Sequence, residues 1–363
     1  LEPTAPDVRW ASKVHPELIE NGSIVSLPYE AIAPYLPGER GFLEFYWGFH
    51  SPYFTNFDRE GRDLPEEGKW EATEDYRITV KTEAALAFIE RNETKPFFLY
   101  LAYASPHVPL EAPQEYLDRF PGEMPERRRY ALAMMSAVDD GIGEVVAALE
   151  AKGLTEDTLI VFASDNGAPL GTQLGERFGD VMPLETKTAH WDGSRNDPLS
   201  GEKGMLAEGG IRVPFVMTWP GIISPEQEIE SPVISLDIAA TANAIAGLPD
   251  DPKLDGINLL PYLTDGAEKA PSRDLFWRFW AQAAVRSGDW KLIEIEGKSL
   301  LFDLARDAEE QHNLAELNPG KVAELREKLE VWAGEMQPPG VPDRDANGQE
   351  DIWYDHYFQV DRK

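Results

Sequence analysis

Apolar residues recur at helical spacing in four stretches and run without interruption in three others. Residues 74–92 place Ile78, Ala85, Phe88 and Ile89 near one face, which predicts an amphipathic helix with Thr73 as its cap. Residues 126–152 carry Ala131, Met134, Met135, Val138, Ile142, Val145, Val146 and Leu149 at three- and four-residue steps, a long helix stopped by Gly153. An Ala-rich helix over 235–247 and a helix over 319–335 complete the set, the latter with Asn318 as cap and Pro319 at its first position. The uninterrupted runs are 97–103 (FFLYLAY), 158–163 (TLIVFA) and 213–219 (VPFVMTW). Short continuous apolar runs suit strands buried on both faces. Alternating with helices, they predict an α/β fold with a mostly parallel sheet flanked by helices.

The two ends read differently. Residues 1–70 are rich in Pro, Gly and aromatics, with Phe42, Phe45, Tyr46, Trp47 and Phe49 clustered, and show little periodicity. Loops and short turns are expected there, as in the interior of a larger domain rather than its start. After about residue 270 short strands over 283–304 are separated by tight turns at Ser287-Gly288-Asp289 and Glu296-Gly297-Lys298, an antiparallel meander. The expected organisation is an α/β domain over 1–270, a small α+β antiparallel C-terminal subdomain over 271–345 and a tail over 346–363.

Charge narrows the partners. Acidic residues outnumber basic ones 65 to 34, a net charge of −31, so phosphate backbones and anionic lipid surfaces are repelled and no nucleic acid is expected as a partner. No apolar run approaches the roughly 18 residues of a membrane-spanning helix. The chain has no cysteine, which removes disulfides, thiolate metal sites and cysteine nucleophiles from it.

Ligands of open parallel sheets bind at the carboxyl ends of strands, and two polar clusters fall there. Ser105-Pro106-His107-Val108-Pro109-Leu110 follows the 97–103 run and Ser164-Asp165-Asn166-Gly167 follows 158–163. If both runs share a sheet, His107, Asp165 and Asn166 converge on one rim. Asp165 and Asn166 offer adjacent hard oxygen donors, which suit Ca²⁺ or Mg²⁺ rather than Zn²⁺. The competing reading is a plain Asp-Asn-Gly turn after a strand, with His107 a packing residue. A third cluster, Gly201-Glu202-Lys203-Gly204-Met205-Leu206-Ala207-Glu208-Gly209-Gly210-Ile211-Arg212-Val213-Pro214, combines glycines that admit close backbone approach with a lysine able to meet an anion. Its competing reading is a Gly-rich surface loop with a solvated lysine.

Taken in order, these segments resemble the sulfatase family, from about Arg40 to about Leu329. Arg40-Gly41-Phe42-Leu43-Glu44-Phe45-Tyr46 is similar to the family's RGFDEF segment, PFFLYLAYASPHVPL at 96–110 to its strand and PH-x-P, and TLIVFASDNGAP at 158–169 to its next strand and turn. NDPLSGEKGMLAEGGIRVPFVMTWPG at 196–221 is the most specific match, and AVRSGDWKLI and LFDLARDAEEQHNLA look like the family's second domain. The resemblance implies an alkaline phosphatase-like fold, incomplete at the N-terminus, and hydrolysis of sulfate esters of a sulfated small molecule or glycan. It implies Ca²⁺, with Mg²⁺ ranked below it, held in part by Asp165 and Asn166. It assigns His107 and Lys203 to sulfate binding and acid–base work, and it brings His50 and Ser51 in as pocket-lining residues. It also implies export to a periplasm, lysosome or extracellular space.

The family's nucleophile is a cysteine or serine converted to formylglycine within C-x-P-S-R. No such motif occurs here; Lys269-Ala270-Pro271-Ser272-Arg273 has lysine at the nucleophile position and lies after the Lys203 segment. The chain is therefore expected to correspond to the last two-thirds or so of a sulfatase, inactive alone, with an open sheet edge through which it self-associates. Two other readings remain: a non-catalytic relative that binds sulfated glycans, and a phosphatase or phosphodiesterase of the wider superfamily. Trp47 and Tyr53 are candidates to stack on a sugar. Lys187, Arg195, Lys203 and Arg212 are the candidates for a local basic patch.

Overall fold

The computed structural model of the chain describes residues 19–20, 23–24, 36–171, 191–264, 272–295, 297–337 and 349–358. Its contacts divide into two units, Leu1–Leu154 with Gly179–Ser194, and Thr155–Phe178 with Arg195–Lys363. Neither unit ends near residue 270, where the texture of the sequence changes.

In the first unit β1 (Ile19–Glu20) and β2 (Ser23–Ile24) pair antiparallel. Three more short strands, β3 (Tyr46–Trp47), β4 (Tyr53–Thr55) and β5 (Lys69–Glu71), form an antiparallel sheet. The aromatic cluster holds it: Phe45 stacks on Phe54 at 5.3 Å, and both pack with Leu36 and Trp70. Tyr53 is 1% exposed, so it packs and offers no face to a sugar. Helix α1 (Arg77–Asn92) buries Ile78, Ala85 and Ile89 as the periodicity predicts, but Tyr76 precedes it as N-cap. The Thr73 hydroxyl is occupied by Asp75, whose N–H donates to it at 3.1 Å and whose carboxylate accepts from it at 2.8 Å. After the single turn α2 (Gln114–Leu117), the long helix α3 (Glu126–Ala151) packs Ala137 and Val138 on Ile78.

The 97–103 run is not the doubly buried strand expected. It belongs to no ladder, and none of its residues makes a backbone hydrogen bond to another described residue. Phe97 meets Phe88 edge-on at 5.6 Å and the Tyr103 hydroxyl shares a 2.8 Å hydrogen bond with Thr82, both residues of α1. The alternate residues Phe98 and Tyr100 are 63% and 72% exposed. Side chains of an extended segment point alternately to opposite faces, so α1 covers one face and the other stays open.

The second unit begins with β6 (Ile160–Ala163), paired antiparallel with β7 (Phe215–Thr218) in the register Ile160↔Thr218 to Ala163↔Phe215. Every ladder among the described residues is antiparallel. The 158–163 and 213–219 runs therefore do not build a parallel sheet on their own. The chain between them folds back on itself, closed by Ser164 N–H donating to the Pro214 carbonyl at 3.2 Å, and so delivers β7 antiparallel beside β6. The turn α4 (Glu208–Ile211) and the helix α5 (Leu236–Ile245) follow.

The predicted meander is present with one more strand: β8 (Asp274–Phe279), β9 (Gln282–Ser287), β10 (Trp290–Ile295) and β11 (Lys298–Asp303), in spatial order β11-β10-β9-β8. Strand alternation splits its side chains. Val285, Leu292 and Leu301 pack on Val322, Leu325 and Leu329 of α6 (Pro319–Glu335), whose bounds match the sequence reading. Ala284, Ile293, Leu300 and Phe302 face the other way, onto Met205, Leu206 and Ala207. That packing explains why no boundary falls at 270. A helix α7 (Gln349–Phe358) closes the same face with Trp353 and Tyr354, where the sequence suggested only a tail. Its aromatic residues are poor helix formers, and burial rather than propensity holds it.

Candidate functional site

The predicted residues fall into two groups, one in each unit. In the first, Phe49 gathers the histidines: its ring lies 5.7 Å from that of His50 and 5.3 Å from that of His107, both edge-on. Arg77 stacks over the same ring at 5.1 Å. Its Nη2 donates to the carbonyls of His107 at 2.7 Å and Pro109 at 2.9 Å, fixing the turn on which His107 stands. Arg77 is buried, and desolvation holds its pKa below the usual guanidinium value despite Glu111 nearby. The His107 Nδ1 lies 2.8 Å from the Val108 carbonyl, which can only accept. The proton therefore sits on Nδ1, and Nε2 is the basic nitrogen of the neutral ring. Ser51 Oγ accepts from the Thr73 N–H at 2.9 Å.

In the second unit Asp165, Asn166 and Lys203 are brought together by backbone. Gly167 N–H donates to the Gly210 carbonyl at 2.9 Å and Lys203 N–H to the Ala168 carbonyl at 3.0 Å. Asn196 clamps the two segments. Its Oδ1 accepts from Ala168 N–H at 2.7 Å, while its Nδ2 donates to the carbonyls of Ala168 and Gly201, each at 3.0 Å. The buried carboxylate of Glu202 accepts from Leu170 N–H at 2.6 Å and Gly171 N–H at 2.9 Å. These bonds lace 167–171 to 196–210 and leave Asp165 exposed at the end of β6. The side chain of Lys203 is half-buried and makes no hydrogen bond or ion pair to a described residue. In a chain of net charge −31 such an ammonium is a natural anion partner. Of the other basic candidates, Arg195 is exposed, Arg212 lies 3.8 Å from Glu208, and Lys187 falls outside the described residues.

Glycines set how closely this loop packs. Gly204 has φ +97°, and a Cβ there would lie 2.5 Å from Trp353. A Cβ on Gly209 would lie 2.6 Å from the Ser200 carbonyl oxygen. Beneath the loop, Gln282 of β9 accepts from Leu206 N–H at 2.9 Å and donates to the Gly204 carbonyl at 2.9 Å. Tyr354 donates its O–H to the same Gln282 carbonyl oxygen at 2.5 Å. Lys291 of β10, with no exposure, pairs with Glu208 and Glu310 at 2.8 Å each. Burial pulls its pKa down, but the two carboxylates outweigh that and hold it above the ordinary lysine value. The sequence reading missed Asn196, Gln282, Lys291 and Arg77. Asn196 stands inside the most specific segment and was within reach; the others act from distant positions with no local signal.

Asp165 and Asn166 have the right chemistry for Ca²⁺, and their own hydrogen bond, Asn166 N–H to Asp165 Oδ1 at 2.9 Å, keeps them facing the same turn. Calcium takes about 6–8 oxygens. Among the described residues no group of three or more His, Cys, Asp or Glu side chains gathers as a metal site. Two donors form a corner of such a shell and do not complete one.

Comparison with known proteins places these segments. A family model described as Sulfatase matches residues 34–248, and one described as N-sulphoglucosamine sulphohydrolase, C-terminal, matches 201–336. The chain is 27% identical to the uncharacterized sulfatase YdeN of Escherichia coli (strain K12), covering 84% of this chain and 58% of that protein. It is 31% identical to the N-acetylgalactosamine-6-sulfatase of Homo sapiens, covering 63% of this chain and 43% of that protein. It thus spans about half the length of these relatives. The solved structure of Ps i-CgsB in complex with k-i-k-neocarrahexaose aligns with TM-score 0.70 and 28% identity over 88% of this chain and 72% of that one. The fold is alkaline phosphatase-like, of mixed α/β class.

Proposed function

The chain belongs to the sulfatase family, and from there we propose that the complete protein hydrolyses sulfate esters carried on a carbohydrate, with this chain supplying sulfate-binding groups. The observation that carries the proposal is the pairing of the Asp165-Asn166 turn with the Lys203 loop through the 3.0 Å bond from Lys203 N–H to Ala168. It joins the segment of Lys203, whose ammonium pairs with no described residue, to the segment that carries two hard oxygen donors, and recognition of an oxyanion beside a cation needs both kinds of group. The relatives named above support a carbohydrate substrate.

In hydrolysis a sulfate ester and water give an alcohol and sulfate. Negative charge grows on the non-bridging oxygens and on the leaving oxygen as the S–O bond to the alcohol breaks. The Lys203 ammonium stabilises the first charge. By the family resemblance His107, in the first unit, has the chemistry to protonate the second when it carries protons on both Nε2 and Nδ1. Arg77 and Phe49 hold the His107 ring in place. His50 and Ser51 line the approach of the substrate. Calcium, when bound, draws charge from the sulfate oxygens; Asp165 and Asn166 would give it two ligands. This chain contains no cysteine and no C-x-P-S-R segment, so none of its residues is assigned the attack on sulfur. Among the described residues no helix is long and apolar enough to cross a membrane, and the family reading makes the protein an exported one.

Calorimetric titration of the purified chain with inorganic sulfate, paired with an assay of 4-nitrophenyl sulfate hydrolysis, tests this. Binding weakened at least tenfold in Lys203→Ala, without turnover by the parent chain, is expected. Parent-like sulfate binding in Lys203→Ala overturns the role of Lys203. Turnover that survives purification and is lost in Asp165→Ala overturns the view that this chain binds without catalysing.

A further inference from the structure

In the turn after β6 Asn166 is followed by Gly167, and the packing leaves no choice about the glycine. Gly167 approaches the Lys203 loop so closely that a Cβ on it would overlap the Gly209 carbonyl oxygen. Only glycine permits that approach. The same glycine leaves its nitrogen without a side chain to shield it, directly after an asparagine. Asparagine amides are among the labile groups of proteins, and a following glycine is the neighbour whose backbone nitrogen most easily reaches the side-chain amide carbon.

The fold holds the peptide unit between these two residues at both of its polar atoms. Its carbonyl, on Asn166, accepts the Ser164 hydroxyl at 3.0 Å, and its N–H, on Gly167, donates to the Gly210 carbonyl at 2.9 Å. The Asn166 side chain is held as well: its Nδ2 donates to Asp165 Oδ1 at 3.1 Å and to the Gly167 carbonyl at 3.3 Å. Closing a ring from Gly167 N to Asn166 Cγ requires that peptide unit to rotate. Rotation breaks the bonds to Ser164 and Gly210 together, so the reaction waits on separation of the turn from the 196–210 segment.

We propose that Asn166 is a site of self-modification gated by the fold. While Gly210 holds Gly167, Asn166 stays an amide. When the 196–210 segment opens, Gly167 N gives its proton to water and attacks Asn166 Cγ. A C–N bond forms, the bond from Cγ to Nδ2 breaks, and ammonia leaves with the proton returned, which gives a five-membered succinimide. Water then opens the ring at Cγ to leave aspartate, or at the Asn166 backbone carbonyl carbon to leave isoaspartate, with no change of oxidation state. Either product adds a negative charge beside Asp165. Isoaspartate also lengthens the backbone by one methylene where Gly167 has no room for a Cβ, so the bond to Gly210 does not re-form. Conversion should therefore weaken sulfate binding. That consequence rests on the sulfate-binding reading of this turn and the Lys203 loop; the modification itself does not.

The experiment incubates the full chain at mildly alkaline pH, folded and in guanidinium chloride. Mass spectrometry follows the peptide that contains Asn166, and enzymatic methyl transfer scores isoaspartate. Asn21-Gly22 and Asn347-Gly348 carry the same pair elsewhere in the sequence and serve as references within each sample. Conversion of Asn166 should be slowed about tenfold or more in the folded parent relative to the denatured chain, because it waits on local opening. Ser164→Ala removes one of the two holds and should speed it about 2–10-fold, the weight of one hydrogen bond, with Asn21 and Asn347 unmoved. Melting temperature checks that the variant is folded, and Asn196→Ala, which loosens the same segment from another point, should speed it as well. An Asn166 that converts as fast folded as denatured overturns the gate, as does a folded rate that neither variant changes. Aspartate formed without isoaspartate overturns attack by Gly167. The converted chain should bind inorganic sulfate severalfold more weakly than the fresh one, and unchanged binding overturns the link to the site. A fresh chain that binds no sulfate sinks the sulfate reading and leaves the mass result to stand by itself. A fresh chain that binds sulfate while Asn166 converts equally fast folded and denatured does the reverse.

Discussion

The ammonium of Lys291 lies 2.8 Å from a carboxylate oxygen of Glu208, and both side chains are almost wholly withdrawn from water. Glu310, in a left-handed conformation at φ +57°, completes a triad by approaching the same ammonium at 2.8 Å and accepting the Glu208 N–H at 2.7 Å. The C-terminal sheet thereby holds the segment that begins five residues after Lys203.

Breaking this group at one member strands the others. Lys291→Met should destabilise by about 3–5 kcal/mol, because two buried carboxylates lose their counter-charge. Replacing all three, as Glu208→Gln with Lys291→Met and Glu310→Gln, should cost less than the single change. Thermal melts of the two variants decide it. A triple variant less stable than Lys291→Met would mean the triad's charge pairing outweighs its desolvation cost.

The triad also sets a pH response. Burial alone would raise the Glu208 carboxyl, but Lys291, with Arg286 and Arg212 behind it, holds it below the ordinary glutamate value. A group with a lowered folded pKa stabilises above its unfolded value, and that stabilisation is lost as pH falls through the folded value. The stability gap between the parent and Glu208→Gln should therefore be complete at pH 6 and shrink from about pH 4.5 downward. Melting temperatures of both proteins from pH 6 to pH 3 measure it. A gap that stays constant over that range contradicts the charged pair.

Asn196 makes three hydrogen bonds across the Lys203 loop and the turn after β6. Asn196→Ala leaves the Ala168 N–H and the Gly201 carbonyl without this partner, leaves the Ala168 carbonyl only the Lys203 N–H, and should cost about 1–3 kcal/mol. Because it loosens the loop from which Lys203 extends, sulfate affinity should fall as well. Melting temperature together with sulfate titration reads both effects; a variant that melts like the parent and binds like it removes Asn196 from the account.

The open face of the 97–103 segment should drive self-association, since an extended stretch whose backbone bonds to no described residue and whose Phe98 and Tyr100 are exposed is a template for another chain. Light scattering of the parent should show mass rising with concentration. Phe98→Lys with Tyr100→Lys should shift it toward monomer. A parent that stays monomeric at high concentration would falsify the expectation.

Helix α6 was legible to the residue because Asn318, Pro319 and a regular apolar stripe are all local signals. The meander was legible through its Gly-containing turns, and β8 was missed because charged residues interrupt its pattern. The α7 helix was hidden: Trp353 and Tyr354 are buried against Met205 and Leu206, some 150 positions earlier in the chain. Asp165, Asn166, His107 and Lys203 could be singled out as candidates from motif and spacing, and Asn196 stood within the same segment as Lys203, whereas Arg77, Gln282 and Lys291 had no local signal.

By itself the amino-acid order determined the family resemblance, which residues are candidates for the chemistry, and where most helices and turns lie, because motifs, caps, glycines and apolar periodicity act over a few neighbouring positions. Only the tertiary structure decided that 160–163 and 215–218 pair antiparallel, that 97–103 is open on one face, and that Asn196, Gln282 and Lys291 hold the Lys203 loop. Those outcomes depend on which distant segment arrives to satisfy a backbone group or a buried charge, and no local pattern encodes that.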